Sequence, residues 1–204
     1  MRTHAPLRPL ILLFLVLALP ALGQRTGRSG IGLKAGGQMA SWRSAVNTYN
    51  AVPGAVAGAY FPIFMGPRLE LQPELLGSLQ GAGHTYDEGQ RSMLRCVYLQ
   101  VPVTAKFFLS NTFNLQAGLQ VGQLMLAQQD GTDVTDELRP FDIGTNMGLG
   151  LDLVHGFDLT LRYYSGMTPT LVNDDILFPH NRSMQLTAGY RITQFKGFGP
   201  RRRR

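Results

Sequence analysis

From about Ile31 to Ile192 the chain alternates apolar residues with small or polar ones. The stretches Phe113-Asn-Leu-Gln-Ala-Gly-Leu-Gln-Val-Gly and Phe141-Asp-Ile-Gly-Thr-Asn-Met-Gly-Leu-Gly-Leu-Asp-Leu show this most clearly. Side chains on a strand point alternately to its two faces, so each run has one apolar face and one polar face. The pattern predicts eight strands, at 31–39, 53–61, 67–80, 96–109, 113–126, 141–154, 157–168 and 183–194. Tilted strands of roughly 9–11 residues suffice to cross a membrane. The connections 40–52, 81–95, 127–140 and 169–182 are long, and 62–66, 110–112 and 155–156 are short. A barrel with short inward turns, long outward loops and both termini inside gives this order. The expected fold is all-β: an eight-stranded antiparallel up-and-down transmembrane β-barrel over residues 31–195.

Alternation alone also fits a soluble lipocalin-like barrel, whose apolar face points inward. Three features favour the membrane. The polar face is rich in Gly, Gln, Thr and Asn, as at Gly118, Gln120, Gly122, Gly144, Asn146 and Gly148. Charged residues make up only 16% of the chain, against about 25–35% for a water-facing surface. The apolar residues nearest the short turns are Phe61, Phe107, Phe113 and Phe157, which predicts an aromatic girdle at the periplasmic interface. Two prolines cut across the pattern. Pro73 lies on the apolar phase and Pro102 on the polar phase of neighbouring strands, where bulges are expected to accommodate them.

Ahead of the barrel, Arg2 and Arg8 precede or flank the uncharged apolar run Leu10–Leu19, and Ala21-Leu22-Gly23 supplies a small-x-small cleavage pattern. Residues 1–23 are expected to be a cleaved signal peptide, too short in its apolar core to span ~30 Å of hydrocarbon as a helix. Residues 24–30 are expected to be a linker and 196–204 a basic periplasmic tail. The formal charge of +6 overstates any basic surface, because part of it lies in the leader and in Arg201–Arg204. No basic groove is interleaved with stacking aromatics, so nucleic-acid binding is not indicated. The single Cys96 rules out an internal disulfide.

The candidate chemistry lies on the polar phase. Lys34, Glu70, Gln72, Glu74, Lys106, Asp142, Asp152, Asp158, Arg162 and Arg191 are all expected to face the lumen. An eight-stranded barrel is just wide enough for side chains to fill, and unpaired buried charges are costly. The expectation is therefore a structural plug of ion pairs, with an ion or proton path as the alternative. The loop acids Asp87, Glu88, Asp130, Asp133, Asp136, Glu137, Asp174 and Asp175 do not follow a calcium-loop spacing. His84 and His180 sit near Asp87 and Asp174, and Ser183 follows shortly after, but no catalytic motif joins them. His155-Gly156 reads as turn chemistry. No catalytic set, cofactor or metal is expected.

Four segments carry a resemblance. Leu71-Gln72-Pro73-Glu74-Leu75-Leu76 with Gln80-Gly81 is one, and Tyr98-Leu99-Gln100-Val101-Pro102-Val103 with Lys106-Phe107-Phe108 is the second. Leu115-Gln116-Ala117-Gly118-Leu119-Gln120-Val121-Gly122 and Arg162-Tyr163-Tyr164-Ser165-Gly166-Met167 complete the set. In this order they resemble the PorT-like outer-membrane β-barrel family. The resemblance implies an eight-stranded outer-membrane barrel, without implying one activity; the family's namesake serves protein secretion.

The reading is thus a non-enzymatic barrel of the cell outer membrane with a structural, surface-interaction or secretion-accessory role. Its expected partners are outer-membrane lipid and lipopolysaccharide, together with secretion or envelope machinery, and it is expected to be a monomer. A small porin-like channel, a barrel enzyme (hydrolase or acyltransferase) and the lipocalin-like barrel are the alternatives. A closed membrane barrel resists detergent until heated. Unboiled protein is therefore expected to migrate differently from boiled protein on a denaturing gel, and identical mobility would contradict the topology.

Overall fold

The computed structural model describes residues 28–44, 49–85, 91–172 and 178–196. Eight long strands carry the fold: β1 (Arg28–Arg43), β2 (Asn50–Tyr60), β4 (Leu69–Thr85), β5 (Arg91–Phe108), β6 (Phe113–Gln129), β8 (Phe141–Asp152), β9 (Phe157–Pro169) and β10 (His180–Lys196). Two short ones, β3 (Ile63–Gly66) and β7 (Thr132–Asp133), extend the ends of β4 and β6. Each long strand pairs antiparallel with its neighbour in the chain, and β1 pairs with β10 to close the ring. Closure leaves no free sheet edge, which is the condition for placing strands in hydrocarbon.

The two faces of this ring are inverted relative to a water-soluble barrel. Leu33, Leu119 and Leu186 are 54%, 62% and 61% exposed, whereas Lys34, Gln120 and Gln185 are 4% exposed or less. The greasy face is on the outside. This removes the lipocalin-like alternative, whose apolar residues would line the interior. Phe61, Phe107 and Phe157 are exposed and Phe113 is half-buried, all at the end that carries the short turns. There the rings of Phe157 and Tyr190 pack 4.8 Å apart. The turn before β9 is made by His155 and Gly156, whose φ values of 63° and 88° lie in the left-handed region.

The strands run further than their hydrophobic pattern. β1 starts at Arg28, inside the stretch read as a linker, and β10 reaches Lys196, the first residue of the stretch read as a tail. At the outer end β1, β4, β5 and β6 extend to Arg43, Thr85, Arg91 and Gln129, so the connections read as long loops are partly ladder. The cause is physical: backbone pairing continues above the membrane, where Gln, Ser and Gly no longer alternate with apolar residues. The leader, residues 24–27 and the stretch 197–204 lie outside the described residues, as do Asp87, Glu88, Asp174 and Asp175.

The prolines do not sit at bulges as expected. Pro73 pairs with Val103 and Leu76 with Gln100, three residues on along both strands, so β4 and β5 keep one register past Pro73 and Pro102. On the other side Pro102 pairs with Gln120 in regular register. Each residue of an antiparallel ladder sends its N–H to one neighbour only, so a proline removes a single bond without needing an extra residue. A bulge occurs instead around Pro53. The β2–β4 pairing runs from Asn50–Gly83 to Ala51–Ala82, then resumes one residue out of step at Val56–Ser78.

Gln38 bridges that interrupted seam from the lumen side. Its Nε2 donates to the Ser78 hydroxyl at 2.7 Å and also reaches the carbonyls of Ala55 and Leu79. Its Oε1 accepts from Gln185 Nε2 at 3.0 Å. One amide thus satisfies carbonyls that the ladder leaves open. Replacing Gln38 by Ala is expected to cost about 1–3 kcal/mol and to speed amide exchange around residues 52–56. Hydrogen exchange by mass spectrometry checks this, and unchanged exchange there would contradict the stitching role.

Candidate functional site

The lumen is built from the inward phase of all eight long strands and changes character along its axis. Its periplasmic half is charged. Lys34, Lys106, Arg162 and Arg191 stand there against Glu70, Glu74, Asp152 and Asp158, all buried except the partly buried Asp152 and Arg191. Glu74 on β4 is the junction. Its Oε1 accepts from Lys34 Nζ of β1 at 2.9 Å and from Arg162 of β9 at 2.7 Å, and its Oε2 accepts from Arg162 at 2.9 Å. Gln72 Nε2 adds a fourth donor at 2.6 Å. The Arg162 contact is bidentate, the geometry in which a guanidinium holds a carboxylate most firmly.

A second group lies nearer the periplasmic opening. Arg191 of β10 donates to both oxygens of Glu70, at 3.2 and 3.3 Å, and lies 3.9 Å from Asp152. Asp152 in turn accepts from Lys106 at 3.4 Å and Asn114 at 3.0 Å. Asp158 has a different partner, the phenol of Tyr60, which donates at 2.6 Å. To reach it the tyrosine crosses β1 and β10 over Gly32 and Gly189. A methyl group at Gly32 would meet the Tyr60 ring at 2.3 Å, and one at Gly189 would meet the Asp158 carboxylate at 2.4 Å. Glycine at both positions leaves room for Tyr60 and Asp158 to meet in this arrangement. Lys34 Nζ also stands 4.9 Å from the Tyr60 ring centre.

Asp142 is separated from this network. It lies at the outer end of β8 and accepts from Asn181 at 2.9 Å and Thr168 at 3.0 Å. Between it and the charged half lies a layer of amides and hydroxyls, including Gln38, Gln100, Gln120, Thr104, Asn146 and Gln185, all buried.

The outer mouth is apolar, which the alternation did not reveal. Trp42, Ala82, Leu94, Cys96, Tyr98, Leu124, Ala127 and Leu138 form one buried cluster. The connection after β6 folds across it. Val134 N–H donates to Ala127, Arg139 N–H donates to Thr170, and Leu138 bridges to Leu171. In the adjoining turn the Ser92 hydroxyl and the Met93 N–H hold the Asp130 carboxyl below the usual carboxylate range. Above the cluster remains a crevice of about 270 Å³, lined by Trp42, Tyr49, His84, Ser92, Leu94, Gln129, Glu137 and Leu171. The Ser92 hydroxyl donates to Asp130 at 2.6 Å and accepts from Gln129 at 2.8 Å. Ser183, considered with His180 for catalysis, is buried in the lumen wall and its hydroxyl has no hydrogen-bond partner among the described residues. Among the described residues no three His, Cys, Asp or Glu side chains gather as metal ligands.

Sequence reasoning placed the charged lumen residues but missed Tyr60, Tyr98 and Tyr164, all fully or nearly fully buried inside. Their signal was their phase, since each sits on an even-numbered inward position beside Phe61, Leu99 or Tyr163. Replacing Glu74 by Gln leaves Lys34 and Arg162 buried beside each other without their shared counter-charge. It is expected to lower the unfolding free energy by about 3–5 kcal/mol, while E74Q with Arg162→Gln loses less than the two single changes added. Urea unfolding in lipid vesicles measures this, and a loss below about 1 kcal/mol for E74Q would show that the junction does not hold the strands.

Residues 22–172 match the outer membrane protein beta-barrel domain. No curated protein matches the chain significantly. Among solved structures, Neisserial surface protein A aligns with a TM-score of 0.53 at 10% identity, covering 80% of this chain and 99% of that one. Ail of Yersinia pestis aligns with a TM-score of 0.47 at 13% identity, covering 80% and 99%. OprG of Pseudomonas aeruginosa aligns with a TM-score of 0.48 at 8% identity, covering 82% and 98%. At 10% identity the likeness to Neisserial surface protein A is one of fold alone, in keeping with the closed ring of eight long strands in this chain. With an apolar exterior, a charged lumen and a family match over most of its length, this chain is a protein of the outer membrane and belongs to the outer membrane protein beta-barrel domain family.

Proposed function

We propose that the protein is a closed, non-enzymatic barrel whose outer rim serves as a surface for interaction, the PorT-like resemblance adding a secretion-accessory variant of the same role. One observation carries the reading: the lumen is filled across its width. Glu74 ties β1, β4 and β9 together, the amide layer lies above it, and an apolar cluster with Leu138 folded over it closes the outer mouth. A permeant solute would have to break buried ion pairs and then cross an apolar plug. Work done by such a barrel falls to its rim and its outer wall. In this reading it acts as a monomer and has envelope components as partners.

One observation favours a second reading, an enzyme at the rim. His84, Ser92 and Glu137 line the same crevice. The Ser92 hydroxyl is donated to Asp130, so the serine is not poised against the histidine, and this reading ranks below the first. Ester hydrolysis by the purified barrel that is lost in His84→Ala would reverse the ranking.

The test of the first reading is conductance. Purified barrel reconstituted in planar bilayers is expected to give no steady current above that of the lipid alone. Stable, long-lived channels would overturn it and support the porin-like alternative.

A further inference from the structure

Among the described residues the outer wall carries very little charge, and all of it is positive. Among the described side chains, the charged residues that point outward from the long strands are Arg43, Arg95 and Arg182. All three lie at the outer ends of their strands. Arg43 and Arg182 are diagonal neighbours across the β1–β10 pairing, and Arg95 stands alone on β5, opposite Gly81 of β4 and Gln128 of β6. Below Arg95 the outward residues of β5 are Val97, Leu99, Val101, Val103, Ala105 and Phe107, so Arg95 marks the upper edge of the lipid-facing band. It makes no ion pair with any described residue.

Beside Arg95 the wall is hollowed. A groove of about 550 Å³ runs over the interrupted β2–β4 seam, with Pro53, Gly54 and Ala55 on one side and Val97 and Leu126 on the other. Leu79, half-exposed, projects between these sides, the buried Gln80 and Cys96 also line the groove, and Arg95 and Gln128 lie toward the outer ends of their strands. The small residues and the missing ladder bonds of residues 52–55 make the depression. Seen from the membrane, it is an apolar trough of acyl-chain character with a guanidinium and an amide at the head-group level.

We infer that this groove binds a phosphorylated glycolipid of the outer leaflet, one acyl chain lying against Leu79, Val97 and Leu126 while a head-group phosphate pairs with Arg95. Three observations converge on that occupant. The trough opens on the lipid-facing side, so its ligand comes from the membrane. Its polar end lies at the outward rim, which selects the outer leaflet. Its charge is a guanidinium, whose donor fork matches a phosphate, and Gln128 beside it can donate to phosphate or sugar oxygens. An arginine facing lipid is tolerated near the interface and becomes favourable when it meets an anion there.

The experiment uses the full barrel, delipidated in detergent and returned to nanodiscs with bisphosphorylated lipid A, the same lipid without its phosphates, or phosphatidylglycerol. Native mass spectrometry counts bound lipid after release from the disc. Wild type is expected to retain lipid A, and Arg95→Gln to weaken that retention about tenfold or more. Arg68→Gln, at the periplasmic end, is expected to leave it unchanged. Ala55→Phe fills the trough from the lipid side without adding charge, and is expected to weaken binding while keeping the gel mobility of the folded barrel. Equal retention of lipid A by Arg95→Gln and wild type would overturn the proposal. So would equal binding of the dephosphorylated lipid or of phosphatidylglycerol by wild type.

Discussion

A charge inside a membrane barrel has no bulk water to face, so every lumen cation must find a lumen anion. Glu74 meets that constraint most completely, accepting from Lys34, Arg162 and Gln72 at once. The three strands it joins are far apart in the chain, and a slip of one residue in any of them would turn its charged partner toward lipid. The junction therefore fixes register as well as neutrality. Arg191 with Glu70 and Asp152, and Tyr60 with Asp158, repeat the arrangement around the rest of the wall.

A lumen built this way separates architecture from function. The periplasmic half holds paired charge, the middle holds amides, and the outer mouth holds an apolar cluster that would be out of place beside a permeation path. What remains accessible is the rim crevice and the outer wall. Among the described side chains the wall is predominantly apolar and is charged only at its upper edge, where Arg43, Arg95 and Arg182 stand, and it is hollowed at the trough over the β2–β4 seam. The same seam shows how local irregularity is contained: a bulge near Pro53 opens the ladder, and Gln38 covers its inner side.

Alternation made the eight strands, their order and the inward phase of Lys34, Glu70, Glu74, Lys106, Asp142, Asp152, Asp158, Arg162 and Arg191 legible, because a period of two reports side-chain direction whatever the residue. It could not report which inward residues meet. Asp142 illustrates this: it shares the inward phase but stands at the far end of β8 from the ion pairs, held by Asn181 and Thr168. Inward tyrosines were overlooked because an aromatic ring next to Phe61 or Leu99 reads as part of the apolar face. The mouth cluster was hidden for a related reason. Around Ala82, Leu94, Cys96 and Leu124 the inward positions become apolar while the outward ones hold Gly81, Arg95 and Gln123, so polarity along the strand no longer marks which face is the lumen. Strand ends were short in the sequence reading because pairing outlasts the hydrophobic pattern.

The closed lumen can be probed without altering the protein. Cys96 is the chain's one cysteine, and its side chain points inward in the mouth cluster, 3% exposed. A small, charged, membrane-impermeant thiol reagent applied to the folded barrel in vesicles should leave Cys96 unmodified over hours and label it fully once the barrel is unfolded. Rapid labelling of the folded protein from the water phase would show that the outer mouth is open, and would contradict the account of a filled barrel.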